Sequence, residues 1–292
     1  MFKRIVFWLC LFVGGTSAGP LLAAGMKVTY PANESAHDPR FNDLIEILHT
    51  ALEKTVAESG PYELGPSEMA MNEARYLREL RDGRSVNIIW SSTSYEKERD
   101  YLPLRIPLRK GLLGYRVALT SSQNQEKIDK VQTVEDLRKL TMGQGTGWGD
   151  VRLYQDNGID VITTKYENLF RMVAQSRFDL FPRGIGEVFS EFEMHGKQVP
   201  NLQIEKNLLI YYPWPYYFFF KKSDTVLYER VERGIHKMMA DGSFDAIFRK
   251  YNDKAIRQAR LKERRIIRLE NRFLPKDTPL NDTRLWFDPA RY

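Results

Sequence analysis

A serine-rich stretch directly after a short apolar segment has the residue types that bind a carboxylate. Residues 86–90 are typical of a buried strand, and residues 91–99 follow with the sequence SSTSYEKER. Hydroxyls and free backbone N–H groups at the end of a strand, followed by an arginine, suit a carboxylate because arginine offers a planar fork of donors to two oxygens. We therefore predict Arg99 as the carboxylate clamp, with Ser92 and Ser94 as further donors.

Two other stretches are expected to reach the same anion. The turn after Met142 joins a predicted strand to a predicted helix, whose free N–H groups and dipole favour negative charge. Phe181-Pro182-Arg183-Gly184 ends another predicted strand, and ligands of open α/β sheets bind at strand ends. The further predicted ligand contacts are Thr146, Gly147, Trp148, Arg183 and, at the end of the first strand, Tyr30.

The elements that must position these residues alternate between strand and helix patterns. Residues 27–30 read as a strand, and apolar residues at helical spacing run from Phe41 to Val56. Ser67 is interpreted as the start of a second helix that ends near Gly83. Such alternation predicts α/β layers with largely parallel sheets.

The N-terminal residues have the layout of a secretory signal peptide. Lys3 and Arg4 precede nine apolar residues at 5–13, too few to span a bilayer, and small residues follow. We predict a cleaved signal peptide over residues 1–25 and a periplasmic location. The single cysteine, Cys10, lies inside this segment, so the rest of the chain has no thiol for a disulfide or a cysteine-based metal site.

The formal net charge of +6 is concentrated at the two ends of the chain. Residues 252–292 hold eleven Lys or Arg against six Asp or Glu, so the body between the ends is nearly neutral. This distribution argues against general affinity for nucleic acid. Projected as a helix, residues 254–268 place basic side chains on one face and apolar ones opposite. We favour docking by the apolar face, the alternative being contact of the basic face with anionic lipid or a membrane partner.

With these features the chain resembles the bacterial type II periplasmic solute-binding proteins, in particular the lysine/arginine/ornithine- and histidine-binding components of ABC importers. The resemblance covers residues 27–251. It rests on the block ending at Arg99, the helix start at Thr133 leading into Gly145-Thr146, the step Ser176-Arg177-Phe178-Asp179 and the late segment from Ala240 to Phe244.

The resemblance implies two α/β lobes joined by two crossing strands. The first lobe would be discontinuous, over residues 26–115 plus 210–251, and the second lobe would be inserted as residues 116–209. Residues 252–292 would be a basic C-terminal extension. A ligand between the lobes would stabilise a closed form that an ABC permease reads.

The resemblance also assigns roles within the site and shows one departure. The serine turn and Arg99 would hold the ligand α-carboxylate, and the Gly-Thr turn would close on the same group. Where the family places an aspartate for the ligand ammonium, this chain has Arg183-Gly184. Glu34 and Glu187 are candidate substitutes, and a dicarboxylate or other small anion becomes a competing ligand.

These observations predict a monomeric periplasmic solute-binding protein that captures an anionic or zwitterionic small molecule for an ABC importer. One alternative is a stand-alone envelope sensor or adaptor with a basic membrane- or partner-binding tail. Another is a dehydratase acting on a cyclic carboxylate, with Glu34 and His37 as general acid or base. We expect no enzyme activity, cofactor, metal ion or nucleic-acid partner.

Overall fold

A computed structural model describes residues 25–32 and 40–292. The predicted signal peptide, except Gly25, and the predicted ligand contact Glu34 lie outside the described residues. Within the described ranges, no helix is both long and apolar enough to span a bilayer.

The strands of the described residues are numbered in chain order. They are β1 (Met26–Ala32), β2 (Tyr62–Ala70), β3 (Ile88–Ser92), β4 (Leu102–Leu104), β5 (Tyr115–Ser121), β6 (Thr141–Gly145), β7 (Asp160–Thr164), β8 (Phe181–Gly184), β9 (Leu202–Ile204), β10 (Leu208–Tyr211), β11 (Tyr216–Phe220) and β12 (Arg265–Arg268).

The α-helices are numbered in the same way. They are α1 (Asn42–Glu53), α2 (Val56–Ser59), α3 (Glu73–Asp82), α4 (Tyr95–Asp100), α5 (Gln125–Asp129), α6 (Val134–Leu137), α7 (Asp150–Asp156), α8 (Tyr166–Ala174), α9 (Ile185–His195), α10 (Thr225–Asp241) and α11 (Ser243–Ala259).

The first lobe is built from β1–β4, β11 and helices α1–α4 and α10. Strands β1 and β2 pair in parallel, and β11 lies between β3 and β4 in an antiparallel sheet. Helix α1 buries one apolar face, including Leu44, Leu48 and Leu52, against α10 and this sheet. Phe218 and Phe220 of β11 pack between α1 and α10, so these two rings belong to the core of the first lobe.

The second lobe contains β5–β10 and helices α5–α9. Strand β5 is central: it pairs antiparallel with β8, β9 and β10, and β6 pairs in parallel with β7. Two chain segments cross between the lobes, one at the start of β5 and one after β10. At this hinge, Tyr115 pairs with Tyr211 and Arg116 with Ile210.

The C-terminal residues are an integral part of the fold. Helix α11 ends at Ala259, and Arg260 has a left-handed φ of 49°. Strand β12 then pairs in parallel with β10, which extends the sheet of the second lobe. The single amphipathic helix predicted through Arg268 is therefore wrong beyond residue 259, although the apolar side chains do dock, with Ile256, Ala259 and Ile267 buried.

Two further expectations about secondary structure are wrong. The sheets are not largely parallel, because five of the eight strand pairings among the described residues are antiparallel. The helix predicted from Ser67 is instead β2 followed, after Met71 and Asn72, by α3. The Ser67 hydroxyl accepts a hydrogen bond from the Ala32 N–H, so this residue joins the two strands instead of capping a helix. The cap of α3 is Asn72, whose side chain accepts a hydrogen bond from the Arg75 N–H.

Candidate functional site

A cleft of about 950 Å³ lies between the two lobes and is the candidate site. The first lobe contributes Phe41 from the start of α1 and Tyr216 from β11, and the second lobe contributes the β6–α7 turn and the start of α9. The charged residues that line it are Arg40, Asp43, Glu73, Arg109, Arg116, Asp150, Arg183, Glu187 and Glu191.

Arg109 is the main cationic residue on the first-lobe side, and its charge is already matched. Its Nε and Nη2 atoms donate to the two carboxylate oxygens of Asp43 at 2.6 and 2.7 Å, and Nη2 also donates to the Arg40 carbonyl. Asp43 is buried in α1. This bidentate pair fixes the wall of the cleft, and a ligand anion would have to compete with Asp43 for Arg109.

Arg183 is similarly occupied on the second-lobe side. It donates to both carboxylate oxygens of Glu191 at 2.7 Å, and its guanidinium lies 4.6 Å from the ring centroid of Trp148. Tyr166 donates a further hydrogen bond to Glu191. The predicted cleft position of Arg183 agrees with the structure, but its donors support the wall of the second lobe.

Arg116 differs from both of these arginines. It lies in β5 at the hinge, and its side chain is 9% exposed. Among the residues that the structure describes, its Nε has no hydrogen-bond partner. Its Nη atoms are 3.5 Å from Asp150 and 4.0 Å from Glu187, longer than the N–H···O bonds of about 2.7–3.2 Å that proteins form. Arg116 is thus a buried guanidinium with unused donors facing the cleft.

The groups around Arg116 favour its charged form. Burial alone would lower the pKa of Arg116, but Tyr212 and Asp150 raise it above its ordinary value. Burial alone would raise the pKa of Glu187, but Arg183 and Arg116 lower it below the ordinary range. Glu187 also accepts the Gly184 N–H at the start of α9. Both groups are therefore ionised at neutral pH.

A chain of hydrogen bonds fixes the groups that surround Arg116. The Tyr154 and Tyr212 hydroxyls lie 3.1 Å apart, and the Tyr212 hydroxyl donates to Asp150 at 3.0 Å. The Arg116 guanidinium also stacks on the Tyr212 ring at 5.4 Å from its centroid. These contacts hold the Asp150 carboxylate beside Arg116, so the position of the guanidinium is set by buried groups of the second lobe.

The structure contradicts the prediction that Arg99 is the carboxylate clamp. The Arg99 side chain is 71% exposed on α4, and its Nε and Nη2 donate to the adjacent Asp100. It does not line the cleft. The reason lies in local structure: residues 95–100 form the short helix α4, and Arg99 lies on the side of this helix that faces solvent.

Other predicted contacts also have structural roles outside the cleft lining. Ser94 caps α4 by accepting the Lys97 N–H, and the carbonyl of Ser92 accepts the Lys97 ammonium. Thr146 is exposed, and its N–H donates to the Thr164 carbonyl. Tyr30 packs against Trp90 at a centroid distance of 5.7 Å.

The predicted residues Gly147, Trp148 and Arg183 do line the cleft. One ring face of Trp148 lies against Arg183, and Gly145 leaves room for the same ring, because a side chain at residue 145 would overlap it. Trp148 therefore forms a packed wall between the β6–α7 turn and β8.

The sequence reasoning missed Arg109 and Arg116. Both belong to the segment Arg109-Lys110-Gly111-Leu112-Leu113-Gly114-Tyr115-Arg116, which enters the hinge strand. The sequence signal for them is two arginines, one shortly before a buried strand and one at its start, with two glycines between them. Gly114 shows the close approach at this point, since a side chain there would overlap the Tyr212 carbonyl.

Comparison with known proteins identifies the architecture. No protein-family profile matches the chain, and no curated protein sequence matches it. Among solved structures, a probable extracellular-binding protein of an amino-acid ABC transporter, YtmK of Bacillus subtilis, is similar with a TM-score of 0.54 at 14% identity, covering 78% of this chain and 97% of that chain. The chain has the fold of the two-lobed periplasmic binding proteins. The fold class predicted from the sequence is confirmed.

Two other solved structures share this periplasmic-binding-protein fold. YckB of Bacillus subtilis has a TM-score of 0.54 at 14% identity over 79% of this chain and 91% of that one. A Salmonella typhimurium periplasmic binding protein described as highly specific for arginine has a TM-score of 0.51 at 14% identity over 78% and 99%. In a two-lobed binding fold, the cleft that contains Arg116 lies where a ligand can contact both lobes.

Proposed function

We propose that this chain is a periplasmic solute-binding protein that captures a small carboxylate-bearing ligand, such as an amino acid or a related organic anion, in the cleft between its lobes. The observation that carries the proposal is Arg116, a buried guanidinium of the cleft lining whose Nη atoms lie 3.5 Å from Asp150 and 4.0 Å from Glu187, too far for good hydrogen bonds. A buried donor without a good partner costs about 1–3 kcal/mol, more when charged, and a ligand carboxylate at these Nη atoms would remove that cost. The fold shared with binding proteins of ABC importers supports the same reading.

The distribution of charge limits the ligand chemistry. Arg109 and Arg183 are already paired bidentately with Asp43 and Glu191, so they add little free positive charge to the cleft. The Glu187 side chain is 44% exposed at the cleft surface, and its Oε2 lies 3.3 Å from Arg183. The cleft therefore favours a ligand whose carboxylate binds Arg116 and whose ammonium faces Glu187. Glu187 would then take the place of the aspartate that holds the ligand ammonium in the solute-binding family.

The mechanism follows from the position of Arg116 at the hinge. A ligand held by Arg116 and touching Phe41 or Tyr216 of the first lobe would contact both lobes only when they approach each other. Its extra contacts in that arrangement would shift the population toward the closed form. An ABC permease is the partner expected to read that form.

The test is a thermal-shift screen of the protein against the standard amino acids, dicarboxylates and keto acids, followed by calorimetric titration of every compound that raises the Tm. We expect at least one binder, and Arg116→Gln should weaken it by the value of a charge-assisted hydrogen bond, about 1.5–3 kcal/mol or roughly 10- to 100-fold in Kd. Arg116→Lys keeps the charge and tests whether the fork geometry matters.

Arg99→Gln is the matched control. Because Arg99 is exposed and pairs with its neighbour Asp100 outside the cleft, this variant should bind with wild-type affinity. Undiminished binding by a folded Arg116→Gln protein would refute the role of Arg116, and loss of binding in Arg99→Gln would restore the clamp predicted from the sequence. Absence of any binder across the panel would refute the proposed ligand class.

A further inference from the structure

The last residues of the chain run across the hinge from one lobe to the other. We call residues 271–292 the strap. At its start on the second lobe, Glu270 exchanges two hydrogen bonds with the Asn157 side chain at 2.8 and 3.0 Å. Asn271 then donates to the Pro213 carbonyl in the segment between β10 and β11, which is one of the two hinge crossings. Phe273 packs against the core of the second lobe.

The strap then reaches the first lobe. Leu285 packs against the core that contains α1 and β11. The Trp286 ring covers Gly111, where the positive φ of 69° and the absence of a side chain allow this close approach. Asp277 lies 3.6 Å from Arg105, a partly exposed pair that contributes little stability.

Phe287 fixes the end of the strap at the base of the hinge strand β5. Its N–H donates to the Lys110 carbonyl at 2.7 Å, and its carbonyl accepts the Tyr115 hydroxyl at 3.1 Å. The ring is buried against Tyr115 and Phe248. The strap is therefore attached on both sides of the hinge and at the hinge itself.

Helix α11 makes a second bridge beside the strap. Phe244 and Ile247 belong to the core of the first lobe, whereas Phe248 and Ile256 belong to that of the second. A rotation of one lobe against the other must expose one of these apolar groups or bend the helix. A two-lobed protein joined only by its two crossing strands would have no such restraint.

We propose that the strap, together with α11, restrains the hinge, so that the free protein samples a narrow range of interlobe angles. The strap is attached at Pro213 and at Lys110, so its length and contacts fix the distance between these two points. Opening the cleft would break its contacts with one lobe. The inference concerns the protein without ligand, and a ligand that contacts both lobes would select the most closed arrangements within that narrow range.

The test measures the distance between the lobes directly. Spin labels are placed at Arg99→Cys and Thr146→Cys, two exposed positions on opposite lobes, in a Cys10→Ser background because Cys10 is the single native cysteine. Pulsed electron spin resonance then compares the intact chain with a chain ending at Glu270 and with the double variant Asn271→Ala/Trp286→Ala. Arg284→Ala is the matched control, because the Arg284 side chain is exposed and pairs with Asp282 within the strap itself.

We expect a single narrow distance distribution in the intact chain and the Arg284→Ala control. The truncated chain and the double variant should show a broader distribution with an added long-distance population. If the truncated chain does not fold, the double variant alone decides. A folded strap variant with the intact chain's distribution would overturn the proposal, and so would a broad distribution in the intact chain.

Discussion

Replacement of Arg264 tests whether the C-terminal residues are an integral part of the second lobe. The Arg264 guanidinium is 6% exposed and faces the fully buried carboxylate of Glu205 at 3.2 Å. It also donates to the carbonyls of Ala259, Glu205 and Leu208. Arg264→Met removes the charge while retaining much of the length and apolar volume of the side chain.

The expected loss in the free energy of unfolding depends on the Glu205 carboxylate, which stays buried after Arg264 is replaced. Removing one partner of a buried ion pair typically lowers the free energy of unfolding by about 3–5 kcal/mol. Glu205 keeps hydrogen bonds from the Gln125 side chain and from the Asn207 and Leu208 N–H groups, so we expect a value near the lower end, about 3 kcal/mol. Urea unfolding followed by circular dichroism measures this loss, provided that the m value is unchanged.

Two further variants make the measurement decisive. Arg257→Met removes an exposed arginine with one i,i+4 pair to Asp253, so it should cost no more than about 0.5 kcal/mol. Arg264→Met combined with Glu205→Gln should be less destabilised than Arg264→Met alone, because the buried charge is removed while the amide oxygen can still accept a hydrogen bond from the Asn207 or Leu208 N–H. A loss below about 1 kcal/mol in Arg264→Met would refute the docked arrangement and favour a tail free to contact a membrane.

Three other predictions follow from the structure. Gly111→Ala should lower the Tm, because φ is +69° and the new methyl group would overlap the Trp286 ring; an unchanged Tm would contradict that contact. Ser94→Ala should cost about 1 kcal/mol through loss of the α4 cap yet leave ligand affinity unchanged, as measured by calorimetry. Ionised Glu187 should add stability above its unfolded pKa of about 4.3 that is lost as the pH falls, and Glu187→Gln should flatten that part of the stability profile.

The sequence predicted the lobes better than the site because the cores depend on periodicity. Leu44, Leu48 and Leu52 recur at helical spacing, and α1 buries all three. Strands β10 and β11 coincide with the apolar and aromatic runs at residues 208–211 and 216–220. Such patterns are local, so a single sequence displays them.

The elements that were misassigned depend on long-range pairing. Residues 62–70 lack a clean strand alternation, and they become β2 because β1 offers a parallel edge. Residues 265–268 fit a helical projection, but Arg260 breaks the helix without a glycine to signal it, and β10 then pairs with β12. In both cases the partner strand lies more than 30 residues away, which no local pattern can indicate.

The difference between Arg99 and Arg116 explains why the sequence points to Arg99 and the structure points to Arg116. The motif around Arg99 has the right residue types in the right order, but a short helix turns its last side chain toward solvent. Arg116 has no motif around it and is distinguished only by its surroundings: a buried hinge strand, carboxylates too distant for good hydrogen bonds and an unpartnered Nε. Because β5 connects the lobes and the Phe287 carbonyl binds Tyr115 next to Arg116, an anion bound there would act on the same hinge that the strap restrains.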